Sequence, residues 1–312
     1  MSNIPARDIL GKFLVENGDK YENMVVLSAD LSLSIKTDIF AQKYPERFFN
    51  FGIAEQNMIG ASMGFAISNK MPIVCGFSLF TTGRAWEFIR LACHDNLNIK
   101  FVTTHAGLVG GDGSTHSALE DLSLMSCLPN LNVLVPGDNV EIEKILEYAF
   151  NTPGPFYIRL PRGSLEDIHK KDFTFNPNSI DIIKEGNEIN DICMIGVGSG
   201  SSIAIQSVSK LEKDLNISIK IINQSVVKPI NIKNFISRIK NDKCILVIEE
   251  HNTYCGFGSI ISRIVSENCP KYIKTLGIEN SFGQSGSRIE LLDYYGFNYE
   301  NIKKIILDLI KS

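Results

Sequence analysis

Glu55 is a lone carboxylate between a short apolar strand and a helix, in the stretch FNFGIAEQNMIGASMGFAISN at residues 49–69. The helix is so rich in small residues that we expect it to be buried. Burial raises the pKa of a carboxyl group, so such an acid could hold a proton near neutral pH for transfer to a bound molecule. A first-turn acid is also stabilised by the helix dipole and needs no chemical role. This segment alone leaves both interpretations open.

Other polar and aromatic side chains follow the ends of apolar segments that we predict to be strands. In open α/β sheets, binding groups lie in the loops at the carboxyl ends of strands, so these side chains are expected to converge on one edge. They are Asp30 and Ser34 after residues 24–30, Phe77 and Phe80 after 72–77, His105, Asp112 and His116 after 99–105, and Arg159 in the strand 156–160.

Each of these residue types also has an ordinary structural explanation. Phenylalanines usually pack in cores, a single histidine is usually a satisfied structural residue, and an arginine near a helix start is usually solvated. Gly111, Asp112 and Gly113, followed by Asn139, have a spacing compatible with a metal and diphosphate motif. We do not expect a metal there, because the triplet lies inside a loop and does not join a strand directly to a helix.

The elements that must position these residues alternate between short apolar strands and amphipathic helices. The strands are apolar nearly throughout, which indicates parallel sheets covered by helices on both faces. The pattern breaks in a polar stretch at about 161–190 and then resumes. We predict two doubly wound α/β domains, at residues 1–165 and 191–312, joined by a linker at 166–190 that contains a short extended piece.

Composition limits the classes of partner. The 312 residues carry 31 Lys and Arg against 35 Asp and Glu, without long runs of either sign, so no nucleic-acid or anionic-membrane surface is indicated. No apolar run is long enough to span a membrane, and no amino-terminal signal is indicated. Seven cysteines occur singly, as at Cys75, Cys193 and Cys244, which predicts a reducing, cytoplasmic location.

Three motifs in register, FGIAEQNM, FSLFTTGRAWEFIRLA and THAGLVGGDGSTHSALEDLSLM, resemble the pyrimidine-binding domain of transketolases and of 1-deoxyxylulose-5-phosphate synthase. VIEEHNTYCGFGS and FGQSGSRIELLDYYG are similar to motifs of the carboxy-terminal domain of that family. The resemblance implies thiamine diphosphate as the cofactor, with Glu55 hydrogen-bonded to the aminopyrimidine ring and Phe77 and Phe80 packed on it. Asp30 is assigned to the same cofactor end. Gly83 stands where many transketolases carry a third aromatic.

The resemblance also implies a sugar phosphate substrate. Arg7, Ser34, His105 and Arg159 match the phosphate contacts of the family, and a guanidinium offers a fixed fork of donors to a phosphate. Asp112 and His116 match positions that contact the hydroxyls and carbonyl oxygen of the donor, and His116 is a candidate catalytic residue with Glu55. Some motifs lean toward the synthase, so the donor is a ketose phosphate or pyruvate.

The family's diphosphate and Mg²⁺ site belongs to a domain whose motifs this sequence lacks. The resemblance therefore implies the carboxy-terminal half of a split transketolase, with an amino-terminal subunit that binds the diphosphate and Mg²⁺. Self-association through the pyrimidine domain would give a heterotetramer. The alternatives are the equivalent subunit of a pyruvate-using synthase or of a 2-oxo acid decarboxylating enzyme, and a non-catalytic scaffold subunit.

Overall fold

A computed structural model describes residues 4–311, which form two parallel-rich sheets flanked by helices. Within this range the strands are β1 (Met24–Ser28), β2 (Phe48–Asn50), β3 (Met71–Phe77), β4 (Lys100–Ala106), β5 (Asn132–Leu134), β6 (Phe156–Pro161), β7 (Asp181–Lys184), β8 (Ile192–Val197), β9 (Ile219–Asn223), β10 (Val226–Lys228), β11 (Cys244–Asn252) and β12 (Tyr272–Ile278).

The helices lie mostly between consecutive strands, as βαβ units require. They are α1 (Ala6–Asn17), α2 (Ser32–Ile35), α3 (Asp38–Lys43), α4 (Glu55–Ile67), α5 (Ser78–Arg84), α6 (Trp86–His94), α7 (Asp121–Ser126), α8 (Asn139–Asn151), α9 (Ser199–Leu215), α10 (Ile232–Ile239), α11 (Phe257–Asn268), α12 (Arg288–Tyr294) and α13 (Tyr299–Lys311), with 3₁₀ turns at Pro45–Arg47 and Gly110–Asp112. None of these helices has the length and apolar character needed to cross a lipid bilayer, within the part of the chain that the structure describes.

The first sheet has the strand order β10-β5-β6-β4-β3-β1-β2, and all its pairings are parallel except that of β10 with β5. Strands β1, β3 and β4 are buried along their whole length, as their continuous apolar sequences predict. Because β2 and β3 lie on opposite sides of β1, the chain reverses direction across the sheet between β1 and β3. A switch point of this kind opens a crevice at the carboxyl ends of the two strands.

The second sheet has the order β12-β11-β8-β9-β7, with β7 as its antiparallel edge strand. Strand β7 lies inside the stretch 166–190 that the sequence assigns to the linker, and it pairs with β9 of the second sheet. Strand β10 was not expected, because it follows the second-domain strand β9 in the sequence yet pairs with β5 of the first sheet. The two halves of the chain therefore share a strand pairing as well as a packed surface, and one hydrophobic cluster includes Val25 and Phe101 together with Ile195 and Val247.

Within the single chain helix α4 is only half buried, so the expectation of a buried helix holds for one of its faces. Met58, Ile59 and Ser62 face the core, whereas Gly64 and Ile67 are exposed. The small residues that suggested burial lie partly on the outer face. The small side chains indicate that other elements can pack closely against this helix. They do not indicate which of its faces the core covers, and the tertiary structure decides that.

Candidate active site

Glu55 begins α4 at the crevice between the ends of β1 and β3. The residue is 5% exposed, and its Oε1 accepts a hydrogen bond from Nη1 of Arg84 at 2.8 Å. The Arg84 side chain is 49% exposed and lies at the last residue of α5. The sequence interpretation missed Arg84. Its only signal was an unexplained cation one position after Gly83 in the motif FSLFTTGRAW.

Arg84 also covers an aromatic ring. The central guanidinium carbon lies 4.2 Å from the centroid of the Phe80 ring. The guanidinium therefore pairs with a carboxylate and stacks on an aromatic face at the same time, an arrangement that suits its flat, delocalised charge. Gly83 leaves the neighbouring wall open, since a Cβ added there would meet no atom within 4 Å.

Phe77, Phe80, His105 and His116 form an aromatic cluster at the ends of β3 and β4. The rings of Phe77 and His105 are stacked with centroids 3.8 Å apart and planes inclined by 29°. His116 meets Phe80 edge to face at 5.1 Å and Phe77 at 6.1 Å. The structure thus brings together both predicted phenylalanines and both predicted histidines, which come from separate loops in the sequence.

His105 is held in an uncommon backbone conformation with φ of +61° at the end of β4. The residue is buried, and its Nδ1 shares a 2.9 Å hydrogen bond with Oγ1 of Thr104. Burial, with smaller contributions from nearby positive charges that include Arg162, lowers the pKa of His105 to about 4. His105 is therefore a neutral hydrogen-bonding group at neutral pH and not a cation.

A cavity of about 310 Å³ lies beside this cluster and is lined by three arginines, Arg7, Arg162 and Arg288. We call it the arginine pocket. Arg7 Nη1 donates to the Ser34 carbonyl oxygen at 3.4 Å, and Arg7 Nε is buried without a hydrogen-bond partner among residues 4–311. Arg162 and Arg288 pair with the carboxylates of Asp112 and Glu250, whereas no salt bridge to Arg7 is found among residues 4–311. The orphaned buried donor of Arg7 therefore favours an anionic ligand. The predicted neighbours Arg7 and Ser34 are in contact, although Ser34 contributes its backbone oxygen to that contact.

Asp112 lies at the rim of the arginine pocket, where its Oδ2 pairs with Nε of Arg162 at 3.1 Å. Both side chains are partly exposed. Asp112 therefore carries a charge that a ligand can reach, and Arg162 is a second cation that the sequence interpretation missed. The signal for Arg162 was present as the second arginine of RLPRG, three residues after the one that was chosen.

Arg159 was predicted to contact a phosphate, and the structure places it elsewhere. Its Nε donates to Asp121 Oδ2 at 2.7 Å, and its Nη2 donates to the carbonyl oxygens of Ala118 and Glu250. The side chain is 7% exposed and Asp121 is fully buried. Because Asp121 already neutralises its charge, Arg159 has a structural role between the two domains. Arg162 is the arginine of this strand end that reaches the arginine pocket.

Asp30 is exposed at the end of β1, with a φ of +60°. Its backbone N–H donates to Asn50 Oδ1 at 2.9 Å. The contacts found for Asp30 within residues 4–311 lie on β2 and not in the aromatic cluster. Its predicted place at the cofactor end remains a prediction.

The two parts of the possible metal motif have separate partners. Asp112 pairs with Arg162, and Asn139 begins α8 and donates to the Ile4 carbonyl oxygen at 3.0 Å. Within residues 4–311, no group of three or more His, Cys, Asp or Glu side chains is arranged to hold a metal ion.

Residues 2–167 match the family model described as transketolase, pyrimidine binding domain, and residues 181–302 match transketolase, C-terminal domain. A protein of Methanocaldococcus jannaschii named "Putative transketolase C-terminal section" is 38% identical over 307 residues, which are 97% of this chain and 95% of that protein. A subunit of the apulose-4-phosphate transketolase of Actinobacillus succinogenes is 29% identical over 95% of this chain and 94% of its own length.

A solved split-gene transketolase, described as an inactive β4 tetramer, superposes with a TM-score of 0.90 at 35% identity and covers 99% of both chains. The 1-deoxy-D-xylulose-5-phosphate synthase of Carboxydothermus hydrogenoformans is 32% identical over 95% of this chain. This chain spans only 47% of that synthase. The similarity therefore extends along the whole chain here and along about half of the longer relatives.

Proposed function

The chain belongs to the transketolase family and corresponds to its pyrimidine-binding and carboxy-terminal domains, and from this premise we propose how the site works. It is a transketolase-type carboxy-terminal subunit of a ketol-transferring enzyme. We propose that it moves a two-carbon ketol unit from a ketose phosphate to an aldose-type acceptor, and that it does so only with a separate diphosphate-binding subunit. We keep 1–165, 166–190 and 191–312 as the proposed first domain, linker and second domain.

The observation that carries the proposal is the arrangement of Glu55 beside Phe80 and Phe77. A nearly buried carboxylate next to an aromatic face suits a flat heteroaromatic ring that offers a hydrogen-bonding nitrogen. The Arg84 guanidinium supports this fit, because it is itself a flat donor that makes both contacts in this chain. We therefore assign the pyrimidine end of thiamine diphosphate to Glu55, Phe77 and Phe80, and Asp30 to the same end.

The chemistry that thiamine diphosphate supplies when bound is a nucleophilic thiazolium carbon, which allows the bond beside the carbonyl carbon of a ketose to be broken. Glu55 would share a proton between its carboxyl oxygen and a pyrimidine nitrogen. His116, held edge-on against Phe80 and hydrogen-bonded through Nδ1 to Thr115 at 3.0 Å, presents its ring to the donor's oxygen atoms. Asp112, at the rim of the pocket, would accept hydrogen bonds from the donor's hydroxyls.

We assign the phosphate of the donor to the arginine pocket. Arg7 and Arg162 supply charge and fixed forks of donors, and neutral His105 and Ser34 supply further hydrogen bonds. Arg159 is omitted because Asp121 holds its guanidinium in the protein interior. A substrate that lies between Glu55 and Arg7 would pass the faces of Phe80, His116 and His105.

The full-length relatives contain about twice as much chain as this one, which supports a second subunit for the missing half. We propose that this partner is an amino-terminal transketolase subunit that binds Mg²⁺ and the diphosphate. Self-association through the pyrimidine domain would use the outer face of α4, the helix that Glu55 begins, where Gly64 and Ile67 are exposed. The resulting enzyme would be a heterotetramer.

The test combines this chain with a subunit that carries the diphosphate motif and measures ketol transfer with Mg²⁺ and thiamine diphosphate. Glu55→Gln keeps the shape of the side chain but cannot exchange a proton, so turnover and exchange of the thiazolium proton should fall by about 100-fold or more. Glu87→Gln is the matched control, because Glu87 is an exposed acid in the first turn of α6. Near-normal proton exchange in Glu55→Gln would refute the role of Glu55.

A second candidate function is favoured by the synthase relative, at 32% identity over half of its length. In that case the donor is pyruvate, and carbon dioxide is released with each turnover. Carbon dioxide release from pyruvate by the combined enzyme, without transfer from ketose phosphates, would select this alternative. Activity with neither donor, in a complex that binds the cofactor, would indicate a scaffold subunit.

A further inference from the structure

We infer that the side chain of Arg84 occupies the space between Glu55 and Phe80, which we call the pyrimidine pocket, and that it must leave before the cofactor ring can bind. The inference rests on the proposed function, since it concerns the same pocket. It adds a residue to which the sequence interpretation assigned no role. In the uncombined subunit, Arg84 closes the pocket from within.

The geometry places the guanidinium where the ring would bind. A ring that accepts its hydrogen bond at Glu55 and lies on Phe80 must occupy the space between these two side chains. Arg84 already donates to Glu55 Oε1 at 2.8 Å and lies 4.2 Å above the centroid of Phe80. Since one flat group excludes another from the same face, the arginine and the pyrimidine cannot make both contacts at once.

The side chain is free to leave while its backbone stays in place. The Arg84 carbonyl oxygen accepts a hydrogen bond from Nε2 of Gln56 at 3.1 Å, which fixes the end of α5 against α4. The side chain itself is 49% exposed, and the adjoining Gly83 offers open space. Release therefore needs a change of side-chain rotamer and no movement of the helix.

The expected size of the effect follows from the strength of the two contacts. Half-exposed ion pairs and cation–π contacts are each weak, so the closed arrangement is favoured by about fivefold to tenfold. The apparent affinity for the ring falls by the same factor, because only the open fraction can bind. Arg84 therefore reduces binding by the lone subunit without blocking it completely.

The experiment measures the binding of thiamine to the complete chain. Thiamine carries the pyrimidine ring but lacks the diphosphate. Saturation-transfer NMR detects weak binding, and Trp86, the only tryptophan of the chain and two residues from Arg84, reports by fluorescence. Arg84→Ala should bind thiamine about fivefold to tenfold more tightly than the wild type. Arg84→Lys should lie between them, because lysine can pair with Glu55 but has no flat face to stack on Phe80.

Arg90→Ala is the control, because Arg90 is an exposed arginine on the neighbouring helix α6. It should bind thiamine as the wild type does. Unchanged or weaker binding in Arg84→Ala, while the wild type binds, overturns the inference and leaves the proposed function intact. If neither the wild type nor any variant binds thiamine, and the combined enzyme does not bind thiamine diphosphate, both the proposed function and the inference fail.

Discussion

Two arginine–carboxylate pairs in this molecule have nearly the same length but very different exposure to solvent. Arg84 and Glu55 approach to 2.8 Å at the edge of the crevice, and Arg159 and Asp121 approach to 2.7 Å between the two domains. The Arg84 side chain is 49% exposed, whereas that of Arg159 is 7% exposed. Distance alone does not reveal the role of such a pair, because its surroundings set the penalty for separating the charges.

The pair between the domains is embedded in further hydrogen bonds. The Tyr157 hydroxyl donates to Asp121 Oδ2 at 2.6 Å, and Arg159 Nη2 donates to the Glu250 carbonyl oxygen of β11 at 3.0 Å. Burial by itself would raise the pKa of the Asp121 carboxyl, but the charge and hydrogen bonds of Arg159 outweigh it and lower that pKa. This pair holds the two domains in one arrangement.

A second interdomain contact reinforces this role. Glu250 pairs with Arg288 of α12 and accepts a hydrogen bond from the Leu108 N–H of the first domain at 3.1 Å. Gly107 lies against this carboxylate with a φ of +75°, and a Cβ there would come within 2.8 Å of Glu250 Oε2. The close approach of the two backbones therefore requires glycine at this position. The Arg84 guanidinium, by contrast, contacts Glu55 and Phe80 and is half exposed, so it can move without disturbing the domain contact.

The largest expected effect is the loss of stability in Arg159→Met. The substitution leaves Asp121 buried without its charge partner, so the free energy of unfolding should fall by about 3 to 5 kcal/mol in urea unfolding. Arg263→Met, which breaks an exposed pair with Glu267, is the control and should lose less than about 1 kcal/mol. The double variant Arg159→Met with Asp121→Leu should recover part of the loss, because the orphaned charge is gone. Equal losses in Arg159→Met and Arg263→Met would contradict the comparison.

A smaller effect is expected on catalysis from Arg162, which lies at the arginine pocket. Arg162→Ala removes a charge-assisted hydrogen bond to the donor phosphate, so kcat/KM for phosphorylated ketoses should fall by about 30-fold to 150-fold, mainly through KM. This factor corresponds to a loss of about 2 to 3 kcal/mol. An unphosphorylated ketose should be converted at the wild-type rate. The assay uses the combined enzyme, with Arg90→Ala as the control. Equal losses with both kinds of donor would show that Arg162 does not bind the phosphate.

The smallest effect is on how the free energy of unfolding depends on pH. His105 at the site and Asp121 at the domain contact affect it in different pH ranges. His105 has a pKa of about 4 in the folded chain, and an unfolded histidine has a pKa of about 6.5. Between these values the unfolded state binds more protons at this residue, so the contribution of His105 to the free energy of unfolding should fall as the pH falls from 6.5 to 4. Over this range the loss from His105 should be about 2.5 kcal/mol, with less than about 0.5 kcal/mol of further loss arising above pH 6.5. The lowered pKa of Asp121 acts only below about pH 3.9.

His105→Asn tests this assignment, because asparagine tolerates the positive φ at this position. The variant should show a shallower loss of stability between pH 6.5 and 4 in denaturant unfolding. His94→Asn is the control, since His94 is exposed on α6 and paired with Asp95. A pH profile that is unchanged in His105→Asn would show that the acid sensitivity arises elsewhere.

Much of the fold could be predicted from the sequence because parallel strands have a strong pattern. The continuous apolar runs that become β1, β3, β4, β8 and β11 are buried on both faces, and few other arrangements accommodate such runs. Strand β10 could not be predicted in the same way. Its three residues pair across the domain boundary, and a contact distant in the sequence leaves no local periodicity.

The site, like the fold, has some residues that the sequence could place and others that it could not. The motifs and their order in the chain were enough to place Glu55, Phe77, Phe80, His105 and His116 at one edge, because the loops that follow neighbouring parallel strands must meet there. The sequence could not show which arginine reaches the arginine pocket. Arg159 and Arg162 are separated by three residues in a strand end, and only the packing of the second domain buries the former and leaves the latter at the pocket.

The sequence by itself therefore determined the fold class, the family and the positions that carry aromatic rings and the central acid. These properties depend on apolar patterning and on motif spacing, which are local. The tertiary structure decided which charges are free to act, because the penalty for exposing or burying a charge depends on every element that surrounds it. For this reason Arg159 became part of the domain contact, Arg162 became a pocket residue, and Arg84 came to lie on Phe80 beside Glu55.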